Sequence, residues 1–325
     1  MLGVSRVLVT GGADALGAAV VRRLLRDARF EVRVFDQRPA PQWMRESCEI
    51  RGGDPRSLTE AREAAASCRH VIHLGAVTGR PGALDELPYT LSELDAAMTA
   101  SVLRAALDHA VERFVYISSD RVFARAEVFP TPEAHLDECP APRSAFGRVK
   151  LAGEALCRAA HAENELPFTI CRPFDPYGPP ALPDAGGSRA HEIDALLDQA
   201  LAGADEITVR GTGRETRTPT HVDDLAEGIV AAMAAPAAAG EDFNLAGADE
   251  LTLARLAELA WEAAGRDPST FSLARADPPE LPVERRWGSA EKARRVLSWQ
   301  PRIGIRKGLA ATAESRREHS AAPAR

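Results

Sequence analysis

A doubly wound α/β fold, with a parallel sheet between two layers of helices and a smaller C-terminal lobe, is what this 325-residue sequence predicts. Three observations point there. Short β-branched runs alternate with longer helical patterns through the first half, as parallel strands joined by helical crossovers do. The first of these strands runs into a glycine turn and then a helix. Beyond Arg172 the texture changes to proline- and glycine-punctuated loops with shorter helices and isolated strand pieces.

In chain order, strands are expected at RVLVT (6–10), EVRVF (31–35), a weakly marked segment at 48–51, HVIHL (70–74), RFVYIS (113–118) and PFTICR (167–172). Helices are expected at 15–27, 58–67, 92–110 and 144–163. After residue 173 the pieces EITVR and DFNLAG are strand-like, and either could return to the first sheet. LAEGIVAAMAAPAAAG carries Glu227 and is broken by Pro236, so it reads as a buried helix rather than a membrane anchor. The tail AESRREHSAAPAR is expected to be solvated and disordered.

Forty basic against forty-seven acidic residues give a formal charge of −7 with no long basic run, which excludes a nucleic-acid stripe. The cysteines, Cys48, Cys68, Cys139, Cys157 and Cys171, are scattered without a CxxC pair, so neither a disulfide framework nor a metal site is expected. A reducing cytoplasmic location fits that usage, and no membrane partner is expected.

VLVTGGADALGAAVVRRLL has the order strand, glycine turn, helix that sets a pyrophosphate at a helix N-terminus, where free N–H groups and the helix dipole favour anions. Asp36 closes the second strand about twenty residues on, where a carboxylate can accept from a ribose diol. Together these make the sheet Rossmann type and divide the chain into a dinucleotide-binding domain over 1–172 and a mainly substrate-binding lobe over 173–325. A carboxylate at 36 repels a 2′-phosphate, so NAD is favoured, while nearby Arg38 keeps NADP open. The turn departs from the usual pattern at its middle position, Asp14. That residue either caps the helix or weakens cofactor binding.

Several collinear stretches carry a family resemblance: VTGGADALG, GGDPRS, VIHLGA, RFVYISSDRVF, SAFGRVKLAGE, CRPFDPYGPP, RTPTHVDDLAEGI, FNLAG and LSWQP. From about residue 5 to residue 310 the chain resembles the extended short-chain dehydrogenase/reductases, the NAD-dependent nucleotide-sugar epimerases and dehydratases. The resemblance implies that Gly11, Ala15, Leu16 and Gly17 line the pyrophosphate, Asp36 the adenosine ribose, Asp54 and Pro55 the adenine, and Leu74, Gly75 and Ala76 the middle of the cofactor. It makes Ser119 the hydroxyl that binds the reacting oxygen, and Lys150 the residue that binds the nicotinamide ribose and assists proton transfer. It also suggests a homodimer through the helices near 92–110 and 144–163.

Where the family has its catalytic tyrosine, this chain has Phe146, which can neither give nor take a proton. General acid–base catalysis supplies about 10² to 10⁴ in rate, so the loss bears on mechanism and leaves the fold untouched. Asp175 replaces the family's asparagine and Ser298 its glycine before the late tryptophan. Asp120 is half of the dehydratases' Asp-Glu pair, with Arg121 as the other half; it is either an acid or an ordinary cap. Arg217 is an expected anion contact, and Phe146 and Asp175 are expected to border the substrate. His73 reads as a satisfied core histidine, His221 as packed, and the paired Arg285 and Arg286 as either phosphate-binding or surface.

The residues therefore support an atypical NAD(P)-dependent oxidoreductase that reduces a ketone on a nucleotide sugar or secondary metabolite. A catalytically degenerate nucleotide-binding regulator or scaffold, and a nucleotide-sugar epimerase, are the alternatives.

Overall fold

The computed structural model describes residues 4–76, 87–181 and 192–321. Seven parallel strands form the central sheet: β1 (Ser5–Thr10), β2 (Phe30–Asp36), β3 (Glu49–Gly52), β4 (His70–His73), β5 (Arg113–Ile117), β6 (Phe168–Pro173) and β11 (Glu241–Leu245), in the order β11-β6-β5-β4-β1-β2-β3. The order reverses between β1 and β4, so the carboxyl ends of those strands open the crevice in which ligands of such sheets bind. Of the two late strand pieces, DFNLAG joins this sheet as β11 beside β6. EITVR instead forms β8 (Ile207–Arg210), which pairs with β13 (Leu273–Ala276) in the second lobe. Two further short strand pairings are β7 (Pro176–Tyr177) with β10 (Thr220–His221), and β9 (Thr216–Arg217) with β12 (Leu251–Thr252).

One face of the sheet packs against helices α1 (Ala15–Leu25) and α7 (Val222–Ala234), with Val20, Val21, Leu24, Ile229 and Val230 buried on it. The other packs against α3 (Leu58–Ala65), α4 (Pro88–Asp108) and α5 (Ala145–Asn164), whose alanines let backbones approach closely. Helix α2 (Gln42–Ser47) sits between β2 and β3. In the lobe, α6 (Glu192–Leu201), α8 (Leu253–Ala263) and α10 (Ile305–Ala321) enclose Trp261, Leu197 and Leu256; the short helix α9 (Glu291–Leu297) returns to the first sheet near β11.

The expectation of a disordered tail is corrected: α10 carries the chain as helix to Ala321, and residues 322–325 lie outside the described set. Its anchor is Arg316, which donates to the Asp194 carboxylate at 2.7 Å and also pairs with Asp198. The loop run RPFDPYGPPALPDAGGSR is described only to Ala181.

A buried ion network ties the sheet's far edge to α5 and α9. Arg172, with no exposed surface, holds Glu154 through two hydrogen bonds of 2.8 and 2.6 Å and Asp242 through one of 2.7 Å. Lys292 adds a bond of 2.8 Å to Asp242, and Ser118 donates to Glu154 at 2.6 Å. Burial would raise the Asp242 carboxyl, but Arg172 and Lys292 outweigh it and hold the group far below its ordinary value.

Ser298 closes α9 in the left-handed region, φ 54°, which explains why glycine suits this position. The next residues are held from α7: the Asp224 carboxylate accepts from the Arg302 and Ile303 amides, and its carbonyl from the Trp299 indole. A side chain in the left-handed region costs roughly 1–2 kcal/mol, so Ser298→Gly should raise the unfolding free energy by about 1 kcal/mol in urea denaturation.

Candidate active site

The glycine turn follows β1 directly. Gly11 has φ 74°, and a Cβ there would lie 2.8 Å from the Gly75 amide nitrogen, so the ends of β1 and β4 touch only because Gly11 has no side chain. Gly17 is equally constrained, since a Cβ would fall 2.2 Å from the Gly11 carbonyl oxygen. Asp14 caps α1, its carboxylate accepting from the Ala15 amide at 2.8 Å; Arg38 lies 3.9 Å from its other oxygen. Asp36 ends β2 with its carboxylate accepting from the Ala13 and Arg38 amides, both at 2.9 Å. Each carboxylate oxygen has a second lone pair, which leaves Asp36 able to accept from a diol.

Asp54 binds Gln37 and Arg56, and the adjacent Pro55 is buried. At the end of β4, Gly75 is buried, Leu74 half-buried and Ala76 exposed. Ala15 and Leu16 open α1 half-buried at the turn. These residues lie at or follow the carboxyl ends of β1, β2, β3 and β4, and they could hold an elongated, phosphate-bearing cofactor.

Phe146 and Lys150 reach the site because α5 approaches the turn after β5. A Cβ on Gly147 would meet the Arg121 carbonyl oxygen at 2.8 Å, so glycine permits that approach. Ser144 caps the helix through the Gly147 amide at 3.2 Å. Lys150 is buried, with its ammonium 5.7 Å from the Phe146 ring centre, 5.4 Å from that of Tyr116 and 3.8 Å from the Asp95 carboxylate on α4. Among the described residues its Nζ has no hydrogen-bond partner. A buried ammonium with donors to spare fits a ribose diol.

His73 lies beneath it, bonded to Thr10 at 2.6 Å. Complete burial, with Lys150 adding repulsion, pushes it down to about 3, so it stays neutral as a core histidine. His221 caps α7 and packs edge-on against Tyr177. Tyr116 is buried in β5 against His73, and burial raises its phenol well above the ordinary range.

Ser119 follows β5 and donates to Asp120 at 2.9 Å. The buried Asp120 accepts from Arg286 at 3.1 Å, and the same Arg286 nitrogen lies 2.6 Å from Asp175. Its other terminal nitrogen reaches Glu192 at 3.3 Å. Arg217 holds Glu192 at 2.6 Å and donates to the Thr216 and Val283 carbonyls. The expected anion contact at Arg217 therefore already has a protein carboxylate as partner. Arg121 lies 4.0 Å from Asp120, and Arg286 beside it lowers its basicity.

Burial drives the two aspartates the same way, but their surroundings separate them. Asp175 is pushed up to about 6 by burial and by the Asp120 charge, against the pull of Arg286. For Asp120, burial is outweighed by Arg286, Arg121 and the Ser119 hydroxyl, and it is held low.

Two carboxylates were not singled out for the site from sequence, Glu192 beside Arg286 and Asp95 beside Lys150, and the adjacent arginines were not separated. Arg285 turns outward to Glu250 at 2.6 Å, whereas Arg286 turns in. Among the described residues no group of three or more His, Cys, Asp or Glu side chains could hold a metal ion, and no helix is long and apolar enough to cross a membrane.

The match of residues 7–246 to the model of the NAD dependent epimerase/dehydratase family decides the assignment. The chain belongs to that family. NAD is thus its cofactor, and its homologues are nucleotide-sugar epimerases and dehydratases. A putative GDP-L-fucose synthase 2 of Oryza sativa subsp. japonica is 31% identical over 94% of this chain and 85% of its own length. MoeE5, solved in complex with UDP-glucose and NAD, is 27% identical with a TM-score of 0.82 over 97% of this chain and 99% of that one. A tyrosine-to-phenylalanine mutant of UDP-glucuronic acid 4-epimerase from Bacillus cereus, in complex with a 4-deoxy-4-fluoro sugar nucleotide and NAD, is 25% identical with a TM-score of 0.81 over 96% and 99%.

Removing Arg286 strands two buried carboxylates. Arg286→Met should cost about 3–5 kcal/mol at pH 8, and less at pH 5, because both aspartates then rise above their unfolded values and the folded form gains protons on acidification. Urea denaturation at the two pH values measures the difference.

Proposed function

We propose that this protein is an NAD-dependent oxidoreductase that reduces a ketone on a nucleotide sugar without a catalytic tyrosine. The observation that carries the reading is a Ser119 hydroxyl already bonded to the buried Asp120, together with a buried Lys150 whose Nζ has no hydrogen-bond partner among the described residues. In the bound state the nicotinamide supplies hydride. Lys150 would hold the ribose; Gly11, Ala15, Leu16 and Gly17 would cradle the pyrophosphate; Asp36 would accept from the adenosine ribose; Asp54, Pro55, Leu74, Gly75 and Ala76 would flank the remainder.

Ser119 would donate to the carbonyl oxygen and steady the negative charge that develops there, a contribution worth roughly 10² or more in rate. Phe146 would then act by shape, covering the ribose side of the pocket and keeping water from Lys150. The Bacillus cereus mutant supports this, since a protein with one tyrosine exchanged for phenylalanine still holds NAD and a sugar nucleotide. Epimerisation fits less well, because it needs an efficient base in both directions. A degenerate nucleotide-binding protein fits less well too, because Asp14, the departure at the pyrophosphate turn, serves as the cap of α1.

Calorimetric titration separates them. NADH should bind, and more tightly than NADPH, given the Asp36 carboxylate; no heat at millimolar cofactor would sink the oxidoreductase reading. Ser119→Ala should leave NADH affinity unchanged and lower ketone reduction roughly 10²-fold or more. Phe146→Tyr should raise the rate by less than about tenfold, far short of the gain expected where no other proton source exists.

A further inference from the structure

The unusual feature of the site is how its charges are shared. Six charged groups meet: Asp120 and Arg121 on the turn after β5, Asp175 after β6, Glu192 opening α6, Arg217 on β9 and Arg286. Arg217 is committed to Glu192 and two carbonyls, and Arg121 lies 4.0 Å from Asp120. Asp120 is compensated by Arg286, Arg121, the Ser119 hydroxyl and, at 3.4 Å, the Asp175 amide. Asp175 has one share of Arg286, the more distant charge of Arg217, which is already paired with Glu192, and one amide, that of Thr218 at 2.9 Å. Of the buried pair it is the less well compensated, so it takes a proton first.

The backbone holds it in place. Asp175 has φ 36°, a conformation that side chains seldom adopt and that aspartate tolerates, and its carbonyl accepts from the Thr220 amide at 3.2 Å. Both carboxylates reach the same Arg286 nitrogen, which places them beside one another. That guanidinium is nearly fully buried, and its Nε has no hydrogen-bond partner among the described residues, so a donor remains for a ligand oxygen.

We propose that Asp175 is the proton store of this enzyme, recharging Ser119 through Asp120 and so replacing the tyrosine that Phe146 lacks. This rests on the hydride-transfer reading above. As hydride from the reduced cofactor reaches the carbonyl carbon, the carbonyl π pair moves to oxygen, which takes the Ser119 proton. Ser119 regains a proton from Asp120, and Asp120 from Asp175. The net change is one O–H bond broken at Asp175 and one formed on the product alcohol, with the new carboxylate compensated by Arg286 until solvent returns a proton. Asp175 is a positioning residue in this sequence, since it acts through Asp120 and Ser119. Its elevation to about 6 gives it a store that is filled below neutral pH and depleted above it.

Carbon-13 NMR of protein labelled at the aspartate carboxyls tests the store without turnover. One resonance should titrate near pH 6, be absent in Asp175→Asn, and move to lower pH in Asp120→Asn, where the neighbouring negative charge is gone. An Asp175 resonance that titrates at the ordinary aspartate value, or that ignores Asp120→Asn, overturns the proposal.

Single-turnover oxidation of bound NADH by UDP-4-keto-6-deoxyglucose tests the relay. The rate should fall roughly tenfold per pH unit above the Asp175 midpoint, and in Asp175→Asn it should be slow and flat with pH while NADH affinity is retained. A flat profile in the unmodified protein overturns the relay even if the resonance is found. Failure of NADH to bind strikes the hydride-transfer reading instead, and the carboxyl titration then decides for or against a protonated Asp175.

Discussion

Arg286 is the fixed point of this molecule. A guanidinium taken out of water is tolerated only where carboxylates surround it, and here they come from three places: Asp120 after β5, Asp175 after β6 and Glu192 at the start of α6. Two of those segments belong to the sheet's carboxyl edge and the third to the lobe. None of the three carboxylates is compensated in the same way without the arginine, so the site assembles only when the lobe is seated on the sheet. Glycine at 11 and at 147 brings the remaining parts, the β4 turn and the Phe146–Lys150 face of α5, up to the same edge.

A second buried arginine shows by contrast what a purely structural cation looks like. Arg172 makes two bonds to Glu154 and one to Asp242, and Lys292 adds a second cation to Asp242, so every carboxylate there is well compensated. The two networks meet at consecutive serines. Ser118 bonds to Glu154 in the saturated network, and Ser119 bonds to Asp120 in the under-compensated one. Leaving a strand, adjacent side chains point to opposite sides, and one serine anchors the scaffold while its neighbour faces the crevice.

The central sheet was legible because its strands are runs of β-branched and aromatic residues, and tertiary pairing moved their ends by only a residue or so. Helix α2 was missed because QWMRES is too short to show a period. The tail was misread for a related reason. RREHSA is polar all round, and its order comes from Arg316 meeting Asp194, a partner 122 residues away that no local pattern reveals. In the site, the family resemblance pointed to Ser119, Asp120, Phe146 and Lys150. It could not say which of two adjacent arginines turns inward, nor bring in Glu192, which reaches Arg286 and Arg217, and Asp95, which faces Lys150, from segments distant in sequence.

On the proposed mechanism, the loss of the tyrosine is a smaller disruption than the sequence alone suggests. What a phenol contributes is a proton at the right place, and what a lysine beside it contributes is a field that frees that proton. With Phe146 in place, the Lys150 charge acts instead on its surroundings: it is faced by Asp95, flanked by two aromatic rings, and helps keep His73 neutral. On the proposed mechanism, proton supply has moved from α5 to a pair of aspartates held jointly by the sheet edge and the lobe. That relocation has a physical consequence: since Glu192 and Arg217 help set the field around Arg286, seating of the lobe fixes not only the substrate pocket but also the acidity of the group that completes the reaction.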